Sequence, residues 1–350
     1  MRAPFRSDLF APAGPRHHVT PLLPPSRGPL SDTVIKLLCE RAPCSHLTRI
    51  ETPLGDADPF GLDLQLALYL CYELHYRGFV DVDPRWEWDG ALLHLRGRME
   101  TVFLDAVRSE VGTITADDDP TTETDKLSTV RPGSPSVSAY LRDGGTWAQM
   151  QEFSVHRSLY HLKEGDPHAW VIPRLTGQAK ASFVAVEFDE YGAGHGRDVH
   201  QELFADLLEA AGLDHGYLAY LDASAAETLA VVNVMSLFSL HRGLRGAAVG
   251  HFAATEITSP PGAYRLVEAL RRLRAPQPCV RFYAEHVEAD AVHEQVVRTD
   301  VIDNLILHEP QLASDVVFGM RAFVSLENRL EHLMLNSWND GRSSLQQLQR

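Results

Sequence analysis

Thiols are scarce in this sequence. Its 350 residues include four cysteines, at positions 39, 44, 71 and 279, with no CxxC pair among them. That excludes a disulfide scaffold and a thiolate zinc site, and it suits a reducing compartment. Positive charge is short as well. The 32 Lys and Arg against 47 Asp and Glu leave a formal charge of −15, which repels phosphate backbones and anionic lipid surfaces, so neither nucleic acid nor a membrane is an expected partner. Long apolar runs are missing: Leu229–Leu240 is broken by Asn233, Ser236 and Ser239 and falls short of the ~20 residues that span a bilayer. The first 30 residues carry seven prolines and no apolar h-region, so no secretory leader is expected and the cytoplasm is the expected location. Histidine, by contrast, is plentiful, at 17 residues. A metal site in this chain would be built from imidazole and carboxylate.

Residues 1–30 read as a Pro-rich, extended or disordered arm, and 31–113 as N-terminal helices that pack on a core. Ser31 or Asp32 can cap a short helix through Val34, Leu37 and Leu38. Residues 63–77 repeat Leu64, Leu68 and Cys71 on one line and Leu66, Leu70 and Leu74 on another. A third helix spans Asp89 to about Val111 and stops near Gly112. Residues 114–138 hold few core-forming side chains and read as a long acidic, Pro- and Ser-rich exposed loop. The helices before it are too few to bury a core alone, so it is expected to be an excursion within one domain. Residues 139–338 read as a helical bundle and 339–350 as a tail. Helices are expected at 147–164, 174–191, 198–211, 225–249, 261–273, 279–297, 300–308 and 312–335, with breaks at Gly192, Gly194 and Gly196, at Pro260 and Gly262, and at Pro276 and Pro278. Strand-like alternation is nearly absent, so the fold class is all-α.

The strongest chemical signal is Ala284–Glu294. His286, Asp290 and His293 lie at i, i+4 and i+7, which places them at about 0°, 40° and −20° on one helix stripe. Two imidazoles flanking a carboxylate suit a divalent metal; a solvated helix face is the plain alternative, given Glu285, Glu288 and Glu294. A bundle dimetal site also needs carboxylates from further helices. Glu190 closes a mostly apolar helix before the YGAGHGRD bend, and His200 follows that bend. On one unbroken helix the two would stand about 80° apart, so the bend must bring them together, using the freedom of its glycines. Glu256 sits among small apolar residues, where a carboxylate is costly unless paired or bound to a cation. Glu164 ends another helix before Gly165 and Pro167.

At these residues the sequence resembles the haem-oxygenase-like diiron oxidases and oxygenases, the iron-containing redox enzymes. His286, Asp290 and His293 match that family's H-x3-D-x2-H helix, Glu256 its lone upstream Glu, Glu190 and His200 its second-helix pair, and Glu164 the Glu of its first core helix. The resemblance covers residues 147–297 and, weakly, 70–79. It implies a haem-oxygenase-like bundle of about seven core helices, with extra N-terminal helices here, and a seven-residue metal-ligand set. Some relatives space the second-helix pair as E-x6-H, whereas this chain has E-x9-H, which keeps His195 as a competitor to His200. Glu152 and Glu187 rank below Glu164 as alternatives.

The resemblance implies two iron ions, with manganese also compatible with oxygen and imidazole ligands. His286, Asp290, His293 and Glu164 would bind chiefly one iron, and Glu190, His200 and Glu256 would complete the second, with Glu190 bridging. Four carboxylates balance two Fe(II) ions, and without metal such buried charges would be protonated or expelled. The implied reaction is O2-dependent oxidation of a small organic substrate: N-oxygenation, desaturation or C–C cleavage. A ferredoxin or flavin reductase would supply electrons, and a homodimer is the expected assembly. Two other readings compete: a haem- or cofactor-binding bundle with one axial His, and a non-catalytic metal-binding or interaction bundle. His251 is expected in the core or behind a ligand; His156 and His161 are expected to orient Glu164, with a surface position the equal alternative for His161. Arg242 and Arg245 are expected to pair with buried acids, a grip on a substrate carboxylate being the alternative; Trp170, Tyr160, Tyr191 and Tyr283 are expected to pack, with radical or proton transfer the alternative for a Tyr beside the metals.

Overall fold

Apolar residues at three- and four-residue steps, separated by Gly and Pro, form helices along nearly the whole chain. The structure is a computed structural model. It describes residues 20–40, 50, 54–115, 117–129 and 136–346, and at 288–292 the helix without its side chains. Before the core come α1 (Pro29–Leu38), α2 (Leu62–Glu73), α3 (Gly90–Val111), α4 (Pro120–Ser128) and α5 (Val137–Asp143). The core elements follow: α6 (Trp147–His161), α7 (Asp166–Ala169), α8 (Gly177–Glu190), α9 (His200–Ala210), α10 (Ala226–Leu240), α11 (Arg245–Arg272) and α12 (Gln277–Gln295). A π-helical stretch, Val296–Asp303, leads into α13 (Asn304–His308) and α14 (Ala313–Asn339). No strand occurs among the described residues, so the fold is all-α as its patterning requires.

Local chemistry sets several boundaries. The Asp89 side chain accepts from the Ala91 and Leu92 amides and caps α3, whose last turn closes on Gly112 at φ 80°, a conformation glycine adopts without strain. Thr146 and Gln149 form a reciprocal capping box on α6. Helix α10 is buried around nearly its whole circumference, as expected of a helix that is apolar on all sides. Its one amide, Asn233, donates to the carbonyl and side-chain oxygens of Gln65, both at 2.8 Å.

Helix α11 is the spine of the molecule and packs most extensively along α14 and α12. Gly250 and Gly319 permit the first of these contacts. A Cβ on Gly250 would lie 1.9 Å from the Val316 carbonyl oxygen, and one on Gly319 2.0 Å from that of Ala247.

Four expectations need correction. Residues 20–30 are not a free arm: the Val80 amide donates to the Pro21 carbonyl at 2.8 Å, and Pro24 and Leu30 are buried; residues 1–19 lie outside the described residues. The 114–138 stretch is not only loop. Asp119 and Pro120 start α4 as N-cap and first helical residue, and Arg321 of α14 pairs with Asp118 and Glu123 to hold it. The expected helix 225–249 is interrupted at 241–244, while α11 continues through Pro260 and Pro261. Those prolines remove the donors for the Glu256 and Ile257 carbonyls, but packing on both sides keeps the rod intact. The tail is also partly ordered: Glu152 accepts from Trp338 Nε1 and Ser343 Oγ, both at 3.0 Å, and from the Ser344 amide.

Candidate metal centre

Three core elements end, start or turn at the expected site. The chain leaves α6 at His161 and turns through Glu164 to Gly165, at φ 85°. Glu190 is the last residue of α8. Two short 3-10 turns follow, with Gly192 at φ 67°, Ala193 at 51° and Gly194 at 84°, and α9 opens on His200. The glycine-rich bend thus does what the E-x9-H spacing required. A Cβ on Gly192 would lie 2.6 Å from the Val199 amide nitrogen, so the return of the chain toward His200 needs that glycine. Glu256 comes from mid-α11, and His286 and His293 from α12.

These residues gather into two groups. Ligand atoms of Glu164, Glu190, His200 and His286 lie within 4.8 Å of one another, and so do those of Glu190, Glu256 and His293. Glu190 belongs to both. In the first group His200 Nδ1 is 2.7 Å from Glu190 Oε2 and 3.9 Å from Glu164 Oε2, and His286 Nε2 is 3.7 Å from Glu164 Oε2. His286 Nδ1 lies 2.8 Å from the Phe282 carbonyl; donating there fixes the tautomer that presents a lone pair on Nε2. In the second group His293 Nδ1 is 3.2 Å from Glu256 Oε2 and Nε2 is 3.0 Å from Asp189 Oδ2. A proton shared with Asp189 leaves the Nδ1 lone pair facing the acids.

The partition differs from the expectation in two respects: His286 and His293 fall into different groups, and His200 joins Glu164 and His286 rather than Glu256. A common stripe is a statement about angle alone. Seven residues of helix also rise about 10 Å, so the two imidazoles leave α12 two turns apart and meet different acids. Asp290 lies on α12 between them, but its side chain is outside the described residues. The competitors do not join either group. His195 is exposed, and Glu152 is consumed by the C-terminal segment.

The electrostatics are those of a crowded, dry site. Glu164, Glu190, His200, Glu256, His286 and His293 are each no more than 6% exposed. Glu164 Oε2 makes no hydrogen bond, and the 2.7 Å approach of His200 Nδ1 to Glu190 Oε2 lacks hydrogen-bond alignment, a costly state for buried polar atoms unless a cation sits among them. Burial opposes charge on Glu164, yet His161 and His286 outweigh it and hold the carboxyl well below its ordinary range. His161 Nδ1 is 2.9 Å from Glu164 Oε1, which is the orienting contact expected of it. His156 instead bonds Thr228 and Ser344, because it faces the opposite side of α6. His251 pairs with His168 in the core at 3.3 Å. Arg245 pairs with Glu309, whereas Arg242 is exposed.

Glu187, one turn before Glu190, is buried with neither carboxyl oxygen hydrogen-bonded. Burial, then the charges of Glu190 and Glu256, push its carboxyl well above the ordinary range. A cavity of about 1060 Å³ opens from Glu164, Glu190, Glu256 and His286 outward past Tyr160, Tyr283 and Glu331. Tyr160 and Tyr283 therefore do more than pack: both line this cavity, and the Tyr283 hydroxyl is buried without a partner. A second recess of about 420 Å³ reaches His200 from the Arg281 and Glu285 side.

An all-α bundle with His and Glu side chains converging in its interior defines a helical-bundle metalloprotein. Residues 151–328, just over half of the chain, match the iron-containing redox enzymes, and the chain belongs to that family. It is also similar to a nitrosourea synthase from Streptomyces achromogenes subsp. streptozoticus, with 24% identity over 190 residues, 53% of this chain and 40% of that protein. The chain thus spans well under two thirds of that relative's length. No helix among the described residues is long and apolar enough to cross a membrane.

Proposed function

We propose that this chain is an O2-dependent, non-haem diiron oxidase or oxygenase acting on a small organic substrate. The observation that carries the reading is the shared carboxylate: two ligand groups meet at Glu190, and Glu164 Oε2, in the first of them, is buried without a hydrogen bond. Glu164, Glu190, His200 and His286 would hold one iron. Glu190, Glu256 and His293, with Asp290 from the same helix turn, would hold the other. Three buried glutamates with one aspartate neutralise two divalent ions, and oxygen and imidazole donors accept iron or manganese. Bound iron supplies the redox chemistry with O2.

The protein's own part is geometric and protic. Glu190 ties the two groups together, His161 orients Glu164, and Asp189 orients His293. Glu187 adds a buried carboxyl beside the acid cluster, where burial disfavours its charge. The Tyr283 hydroxyl offers a hydrogen bond to a molecule in the cavity, whose walls mix apolar side chains such as Met235 and Phe323 with Arg157 and Glu331. A cavity this size accommodates a small organic molecule. Among N-oxygenation, desaturation and C–C cleavage, we favour N-oxygenation, since a nitrosourea carries an oxidised nitrogen and a similar protein is named for making one. An external donor, a ferredoxin or a flavin reductase, would supply electrons that the substrate does not.

Anaerobic Fe(II) titration followed by O2 mixing tests the reading. Two irons per chain and O2 uptake dependent on that loading are the expected results. One iron or none, or a Soret band at one haem per chain after hemin addition, would overturn it.

A further inference from the structure

Of the six ligand-group residues whose side chains are described, Glu164 alone stands on a turn. The other five lie on helices. A turn lacks the i→i+4 ladder that fixes a helical side chain, so its position must come from elsewhere. The residue before it is Lys163, 1% exposed. Its Nζ donates to Glu73 Oε2 at 2.9 Å and to the Tyr69 hydroxyl at 3.2 Å, and lies 4.5 Å from the ring centres of both Tyr69 and Tyr76. Glu73 is fully buried; its other oxygen accepts from the Tyr217 hydroxyl at 2.7 Å and the Arg77 amide at 3.3 Å. A second tie runs alongside. Arg77 Nη2 donates to the Leu162 carbonyl at 3.3 Å and to Gln201 Oε1 at 2.7 Å. Gln201 Nε2 in turn donates to the Glu164 carbonyl at 3.0 Å, and Gln201 directly follows His200.

The geometry points to Lys163 and Arg77 as positioning residues. The buried Lys163–Glu73 pair and the Arg77–Gln201 bridge set the Glu164 turn against the start of α9, and so set Glu164 against His200. Glu73 and Arg77 lie before the family-matched residues 151–328 and outside both ligand groups. A buried ion pair is a weak source of stability, since apolar residues of similar volume often serve as well. Its location here is explained by what it holds: the backbone on both sides of one ligand. This inference rests on the diiron reading.

Anaerobic Fe(II) titration of wild type, Gln201→Leu and the double variant Lys163→Met/Glu73→Gln tests it, with melting curves alongside. Lys163→Met alone would strand the Glu73 charge and risks misfolding; the double variant strands none. The expected result is a roughly 10–100-fold weakening of one of the two irons, with the other unchanged within about twofold, the size of effect that residues behind metal ligands have. The melting temperature of the double variant should stay near that of wild type. Wild-type affinity at both irons in the double variant and in Gln201→Leu would overturn the inference alone. Weakening of both irons in step with a fall in melting temperature would mark a merely structural role and equally overturn it. A wild type that binds no iron would overturn the diiron reading and this inference with it.

Discussion

Glu190 offers a ligand atom to both groups, whereas Glu164 and Glu256 each serve one. Truncations should therefore differ in kind. Glu190→Ala is expected to bring Fe(II) stoichiometry below one per chain, while Glu164→Ala and Glu256→Ala each leave about one; titration under anaerobic conditions reads all three. Equal losses would mean that Glu190 is not shared. Glu331 permits a different prediction. Burial first, then the charge of Glu327, push its carboxyl up to about 7, against the Val137 amide and the guanidinium groups of Arg157 and Arg265. Between the unfolded value near 4.5 and the folded value, the native state holds a proton that the unfolded chain has released. Stability from this group is thus present at low pH and lost as pH rises through that window. Glu331→Gln stays neutral throughout, so it should match wild type in urea denaturation at pH 5 and exceed it at pH 8.

The contact between α11 and α14 depends on two positions with no side chain. A methyl on Gly250 or Gly319 would meet backbone oxygens at 1.9 and 2.0 Å, and no rotamer change relieves a clash with backbone. Gly250→Ala and Gly319→Ala should each cost about 3 kcal/mol or more, the upper range of overpacking, seen as a lower urea midpoint. Because Glu256 rides on α11 less than two turns from Gly250, iron affinity should fall with stability in Gly250→Ala. Pro260 and Pro261, by contrast, do not break this helix. Their missing donors leave the Glu256 carbonyl outside the backbone ladder, which is tolerable because α11 is braced by α12 and α14 together.

For the molecule as a whole, folding concentrates acid in its interior, and bound metal would offset that charge. Three buried glutamates in the ligand groups, with Glu187 beside them, make the metal-free centre costly to hold in the core. Chelation with EDTA should lower the melting temperature. Fe(II) at a hundredfold excess over its Kd should restore about 2.7 kcal/mol per site through linkage, a rise that calorimetry would read. An identical melting temperature with and without metal would be incompatible with a folded-state site. The −15 charge would fall to about −11 with two divalent ions bound.

Much of this was legible in the chain itself. Helical periodicity set the all-α class, and the helix ends at Gly112, at Glu190 and before His200 follow from glycines and caps that act over a few residues. The scarcity of thiols and the plentiful histidine settled the donor chemistry. Residue types in sequence order nominated Glu164, Glu190, His200, Glu256, His286 and His293, and these six converge; Asp290 holds its place on the helix between the two histidines. What the linear order could not decide was distance. Angular position put His286 and His293 on one stripe, but axial rise sends them to different groups, and only packing against α8, α9 and α11 determines which acids each one meets. The Lys163–Glu73 pair was invisible for the same reason: its partners are 90 residues apart, and neither carries a local pattern. Sequence determines what local hydrogen bonding and side-chain chemistry determine. The pairing of distant charges, and the helix that survives its own prolines, are decided by the packed interior, where the desolvation of each group depends on everything that surrounds it.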